Sequence, residues 1–144
     1  MEIQLLVIII IMIACSAFFS ASETALTGAN RIRLKSMAEN GSKGAKMALK
    51  LLDRYDKVIT TILIGNNIVN ITASSLGTIL ATAIVGPDNA ALVSTVVLTL
   101  VILAFGEVMP KSLAKDHSEG LTVATSGIIT FLTFIFTPLS ALFI

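Results

Sequence analysis

Between Glu2 and Glu23 the chain carries no charged residue. A helix rises 1.5 Å per residue, so that run alone is about long enough to cross ~30 Å of hydrocarbon. Val58 to Val85 repeats the pattern without any charge, and Ala90 to about Met109 is broken only by Glu107. A fourth stretch, Leu121 to Ile144, has the length, but Gly127, Pro138 and several hydroxyl residues interrupt it. With 55% hydrophobic and 13% charged residues, the chain reads as an all-α integral membrane protein and not as a soluble domain.

Charge is unevenly placed. All ten Lys and Arg residues fall within Arg31–Lys57 and Lys111–Lys115, whereas Glu2 and the turn Gly86-Pro87-Asp88-Asn89 have no basic neighbours. If the basic loops are cytoplasmic, the N-terminus starts outside, the second span leaves at Gly86–Asn89 and the third returns near Lys111. The residues alone leave open whether 121–144 crosses. A net charge of +1 gives no electrostatic argument for nucleic acid. Cys15 lies in an apolar run and reads as a small hydrophobe. Met12-Ile13-Ala14 before it only faintly echoes a lipoprotein cleavage site, and the opening Met-Glu-Ile-Gln lacks the basic residues of a signal peptide.

The first basic loop predicts two short helices, 31–39 and 45–56, separated by Asn40-Gly41-Ser42-Lys43-Gly44. In the second, Ala48, Leu51, Leu52 and Tyr55 share one face, and Lys46, Lys50, Asp53, Arg54 and Lys57 cover the rest. Such a pair suits the headgroup layer against anionic lipid; a solvated hairpin is the plainer alternative.

A charge at the centre of a membrane helix costs about 2.5–3.5 kcal/mol on insertion scales, so carboxylates within spans are functional candidates. Glu23 and Glu107 are the two. On the first span Ser16, Ser20, Glu23 and Thr27 fall on one stripe, with Ser22 nearly opposite Ser20. Ala14, Ala17, Ala21 and Ala25 form a neighbouring small-residue ridge for helix packing. The second span carries Asn66, Asn67 and Asn70 within an arc of about 100°, joined by Ser74. Interhelical hydrogen bonding is the bland explanation, a cation site the sharper one. In the third span Pro110 has no N–H for the carbonyl of Gly106, directly before Glu107. Freed carbonyls of broken membrane helices coordinate ions; a plain helix stop beside Lys111 is the alternative.

Hydroxyl, amide, carbonyl and carboxylate make an all-oxygen set suited to a hard cation such as Mg²⁺ or Na⁺. Ser20, Asn66, Asn70, Gly106 and Glu107 offer enough oxygens for Mg²⁺, and charge counting alone does not separate the two ions. His117 sits among loop charges, and no hydrolase or nucleotide-binding signature is present, so the chain reads as no enzyme.

Three segments, Phe18-Phe19-Ser20-Ala21-Ser22-Glu23-Thr24-Ala25, Leu63-Ile64-Gly65-Asn66-Asn67-Ile68-Val69-Asn70 and Gly106-Glu107-Val108-Met109-Pro110-Lys111, together resemble the transmembrane domain of the CNNM/CorC (cyclin M) family of magnesium transporters. The resemblance implies one transmembrane domain over 1–144. It has three spans (about 3–26, 58–85 and 90–110), the cytoplasmic helix pair, and a juxtamembrane helix over 121–144 that keeps the C-terminus cytoplasmic. It implies a multi-pass protein of the plasma membrane, a homodimer, and Mg²⁺ export driven by Na⁺ entry. Carried over by position, Ser20, Asn66, Asn67, Asn70, Gly106 and Glu107 become Mg²⁺ ligands. Ser16, Ser22, Glu23, Ser74, Pro110 and Lys111 then stand beside the ion or at a sodium site. Family members continue into paired nucleotide-sensing modules and a further domain, so the chain is expected to be a piece of a longer protein. A membrane-anchored Mg²⁺ sensor without transport and a monovalent-cation carrier are the competing functions.

Overall fold

The computed structural model describes residues 2–142, and among them every regular element is a helix. In chain order these are α1 (Glu2–Gly28), α2 (Arg31–Glu39), α3 (Lys43–Asp53), α4 (Tyr55–Val85), α5 (Pro87–Val101), a π-helical segment (Ile102–Val108), α6 (Met109–Asp116), α7 (Ser118–Ile135) and α8 (Thr137–Ala141). Four stretches, Glu2–Gly28, Tyr55–Val85, Pro87–Asp116 and Ser118–Ile135, have the length and apolarity to cross a membrane. The chain folds as two compact units: α1 as far as Ser20 with Asn66–Pro110, and Ala21–Gly65 with the residues from Lys111 onward.

In the first unit α1 and α4 run antiparallel. Ser16 meets Asn66, and Ile9 and Ile13 line the same apolar cavity of about 280 Å³ as Ala81 and Ile84. The inward stripe of α4 continues from Asn66 and Asn70 through the buried Ala73, Gly77 and Ala81 at helical spacing. Small residues here let neighbours approach closely: a Cβ on Gly77 would collide with the Leu98 side chain. Gly86 turns the chain between α4 and α5 with φ of 88°, which favours glycine, and Pro87 opens α5 where its missing N–H costs nothing.

The third apolar helix differs from the sequence expectation of a span closing at 110. It passes through Pro110 and continues as α6 to Asp116. The π-helical segment is the reason. Around it the hydrogen-bond register loosens by one residue, so that the Met109 N–H donates to the Ala104 carbonyl, five residues back. A helix already in that looser register absorbs a residue that cannot donate.

In the second unit, α2 and α3 begin at side-chain caps. The Asn30 Oδ1 accepts from the N–H groups of Ile32 and Arg33 at 2.9 and 3.3 Å, and the Ser42 Oγ accepts from that of Ala45 at 3.1 Å. The Ser42 cap starts α3 at Lys43, and the break at Arg54 ends it at Asp53, where the pattern predicts 45–56; Tyr55 to Lys57 belong to α4. Leu34, Ala45 and Ala48 form a fully buried cluster with Val123 of α7 packed against it. Gly44 lies so close to α7 that a Cβ would stand 2.6 Å from Val123 Cγ1 and 3.0 Å from its carbonyl oxygen. Ion pairs join Arg31 to Asp53 at 2.8 Å, both exposed, and Arg33 to the half-buried Glu119 at 3.6 Å; the exposed pair is worth at most about 1 kcal/mol.

The helix predicted over 121–144 starts earlier, at Ser118, and divides at Phe136, because Pro138 has no N–H to give the carbonyl four residues back and its ring crowds that carbonyl, which breaks the preceding turn. Its last two predicted residues, 143 and 144, lie outside the described residues. The buried stripe of α7 is Ser118, Thr122, Ser126, Ile129 and Thr133. Its hydroxyls are satisfied within the helix: Thr122, Thr130 and Thr133 each donate to the carbonyl four residues back at 2.7–2.8 Å.

Replacing Gly44 by valine forces α3 away from α7. A loss of about 1–3 kcal/mol is expected, read as a lower melting temperature in detergent. Gly120→Ala, where nothing lies within 4 Å, is expected to leave melting unchanged or slightly raised.

Candidate polar site in the first unit

Most hydroxyls in these helices resemble those of α7. In α4, Thr60, Thr61, Thr72, Thr78 and Thr82 each donate to the carbonyl four residues earlier at 2.8–3.1 Å. A threonine paired in this way rides in an apolar helix at little cost and marks no site.

Ser16, Ser20, Asn66 and Asn70 behave differently. Ser16 is fully buried, and its Oγ donates across to the Asn66 Oδ1 at 3.0 Å. Gly106, also buried, completes a three-helix meeting point, since a Cβ there would stand 3.1 Å from the Ser16 Oγ. Ser20, one turn further along α1, is fully buried and its Oγ has no hydrogen-bond partner. The buried Asn70 Oδ1, one turn further along α4, has none either. Leaving such a group unpaired costs about 1–3 kcal/mol.

Because α1 and α4 are antiparallel, Ser20 and Asn70 stand on opposite sides of the Ser16–Asn66 bond. Four residues each way at 1.5 Å per residue separates them by roughly 12 Å along the helices. A single ion with ligands at about 2.1 Å does not span both in this conformation.

Glu107 follows Gly106 and is half-buried; Pro110, one turn on, is buried. Asn67 is exposed, in contrast to its two half-buried neighbours, so the amide arc divides at the edge of the helix contact. Ser74 is exposed and lines a groove of about 300 Å³ with Thr78, Ser94 and Thr99. There the Thr78 and Ser94 hydroxyls lie 3.3 Å apart. This hydroxyl groove is absent from the sequence reading, although Ser94, Thr95 and Thr99 stand out within a Val/Leu helix.

Ser22, Glu23 and Lys111 belong to the second unit. Ser22 is buried with its Oγ unpartnered, Glu23 lines a pocket of about 370 Å³ with Thr27, Lys115 and Ser118, and Lys111 is half-buried. No group of three His, Cys, Asp or Glu side chains able to hold a metal occurs among the described residues. The side-chain groups around the Ser16–Asn66 bond are hydroxyls and amides, and the carboxylate next to Gly106 is that of Glu107.

Ser16→Ala leaves the Asn66 carbonyl without its donor, and Gly106→Ala presses a methyl group on the Ser16 hydroxyl. A double-mutant cycle on melting is expected to give coupling of about 0.5 kcal/mol or more, because both changes act on one contact.

Comparison with known proteins assigns the sequence to a family. The chain is 44% identical over 135 residues to a UPF0053 protein of Haemophilus influenzae and 44% identical over 124 residues to a UPF0053 inner membrane protein of Escherichia coli. These alignments cover 94% and 86% of this chain but only 32% and 29% of the relatives, so the chain spans about a third of their length. A more distant relative, 26% identical over 91% of this chain and 33% of its own length, is named a polyamine export protein of Haemophilus influenzae. The profile of the Cyclin M transmembrane N-terminal domain matches residues 7–144, and the chain belongs to that family of membrane proteins.

Proposed function

We propose that this domain carries Mg²⁺ across the membrane, binding it at oxygen atoms of the first unit and exporting it in exchange for Na⁺. The observation that carries the reading is the pair of buried, unpartnered atoms, Ser20 Oγ of α1 and Asn70 Oδ1 of α4, the latter in a helix whose threonines are satisfied on its own carbonyls. Sites that bind a cation keep acceptors free for it. Ser20, Asn66, Gly106 and Glu107 form one group of ligands, and Asn70, with Asn67 at the helix edge, a second group on the far side of the Ser16–Asn66 bond. Glu107 supplies one negative charge, half of what Mg²⁺ carries, and neutral hydroxyl, amide and backbone oxygens fill the rest of its octahedral shell. Breaking the Ser16–Asn66 bond frees the Asn66 carbonyl for the ion. Ser16 thereby acts as the internal partner that the cation replaces, and alternating access moves the ion from one oxygen group to the other.

The same reading makes α7 a helix of the cytoplasmic surface and not a fourth span. Val123 packs on the α2–α3 core, and Thr130, Thr133 and Thr137 share a groove with Met47, Lys50 and Arg54. α3 carries Lys43, Lys46 and Lys50 in eleven residues, and a helix so charged does not enter hydrocarbon beside α7. Three spans, a cytoplasmic C-terminus and homodimers complete the proposal.

Polyamine export is the second reading, supported by the relative of that name. Ammonium groups seek the same acceptor oxygens as Mg²⁺. In sealed proteoliposomes with an imposed Na⁺ gradient, Mg²⁺ flux that disappears in Glu107→Gln and falls at least tenfold in Ser20→Ala is expected. Flux of spermidine with none of Mg²⁺ favours polyamine export; Mg²⁺ binding without flux favours a sensor.

Placement of α7 is checked separately. In a Cys15→Ala background, Lys115→Cys and Leu139→Cys are expected to react with an impermeant thiol reagent from the same side of sealed vesicles. Labelling from opposite sides would make α7 a span.

A further inference from the structure

The second unit contains a groove that ion transport leaves unused. It runs between α3 and α7, has a volume of about 580 Å³, and its lining is divided by chemistry. Lys50, Arg54 and Lys57, spaced four and three residues apart, supply its charge, and Val58 and Phe134 supply apolar wall. Asp53 also lines it, but its carboxylate already accepts from Arg31 at 2.8 Å. Asp56 lines the adjoining recess with Arg54 and Lys57. None of the three cations forms an ion pair among the described residues. The threonines on the facing wall are not available as donors, because Thr130, Thr133 and Thr137 each give their hydroxyl proton to the carbonyl four residues back. The groove therefore offers an anion three cationic heads and little else.

The apolar half identifies the anion further. Phe134 is 79% exposed and Phe131 on the same helix 62% exposed, a costly arrangement in water. Directly after Lys57 begins the uncharged run of α4, so Lys57 adjoins a hydrocarbon-seeking segment and Arg54 precedes it by four residues. A soluble phosphate would answer the charge and leave the phenylalanines wet. A phospholipid with net negative charge answers both, its phosphate against Lys50, Arg54 and Lys57 and an acyl chain along Phe134. We infer that this groove is a discrete binding site for one anionic phospholipid, distinct from diffuse attraction of the basic loop to the membrane surface. The inference rests on the surface placement of α3 and α7 proposed above, which the vesicle labelling tests independently.

The experiment uses delipidated protein in detergent, titrated with phosphatidylglycerol, phosphatidylcholine or inorganic phosphate, with bound lipid counted by native mass spectrometry and stability followed by melting. Phosphatidylglycerol is expected to bind at one molecule per chain and raise the melting temperature, phosphatidylcholine to do so far more weakly. Charges near a lipid surface act strongly enough that Lys50→Gln/Arg54→Gln/Lys57→Gln is expected to weaken phosphatidylglycerol binding roughly tenfold or more. Arg54→Gln alone gives a smaller loss in the same direction, and Lys35→Gln/Lys43→Gln/Lys46→Gln, the same charge removed outside the groove, gives little. Equal binding of the two lipids overturns the proposal, as does equal loss in the two triple variants, which means diffuse attraction only. Displacement of phosphatidylglycerol by millimolar inorganic phosphate assigns the site to soluble phosphate and overturns the lipid.

Discussion

A hydroxyl group surrounded by hydrocarbon can satisfy itself on its own helix or reach across to another. In this chain nearly every threonine of α4 and α7 takes the first course, donating to the carbonyl one turn back. Ser16 takes the second course, and its bond to Asn66 ties α1 to α4 at the level where Gly106 comes closest. The rest of the first unit depends on that contact: it fixes the register of two antiparallel helices, and with it the levels of Ser20, Asn70 and the residues around Glu107. The small residues of the α4 stripe, Ala73, Gly77 and Ala81, permit the approach but do not specify it, because an apolar interface slides by a turn at modest cost.

The second unit is held by different physics. Its α2–α3 core is small and aliphatic, centred on Leu34, Ala45 and Ala48, and α7 closes it through Val123 and the narrow gap at Gly44. Charged residues cover the outside of α2 and α3, so this unit has an aqueous side as well as an apolar one. Exposed Phe131, Phe134 and Ile128 on α7 are ordinary for a helix that rests on lipid and anomalous for one bathed in water.

Much of the helix plan was legible from charge-free length and from turn chemistry at Gly86-Pro87 and Asn40–Ser42, since both act locally. Ends set by a cap or a break moved by a few residues: Ser42 drew α3 forward to Lys43, and the break at Arg54 ended it at Asp53. The passage of the third apolar helix through Pro110 was not legible, because a π-helical register leaves no mark on hydrophobic periodicity. Of the stripe that helical spacing draws through Ser16, Ser20, Glu23 and Thr27, the first two are buried, Glu23 is half-buried and Thr27 is exposed, while Ser22, placed nearly opposite Ser20, is buried as well. The same spacing gave Asn67 the same standing as Asn66 and Asn70, and only the packing of α1 separates the exposed amide from the two that turn inward. Nor does spacing on single helices reveal antiparallel offset, which is what parts Ser20 from Asn70. The alanine ridge of α1 is uneven too, with Ala14 exposed and Ala25 fully buried.

The π-helical segment holds one residue more than an α-helix of equal rise would. Glu107 lies inside that segment. The extra residue resets the angular register of everything after it, so Glu107 and Pro110 stand at positions around the helix axis that counting about 100° per residue from Ala90 does not give.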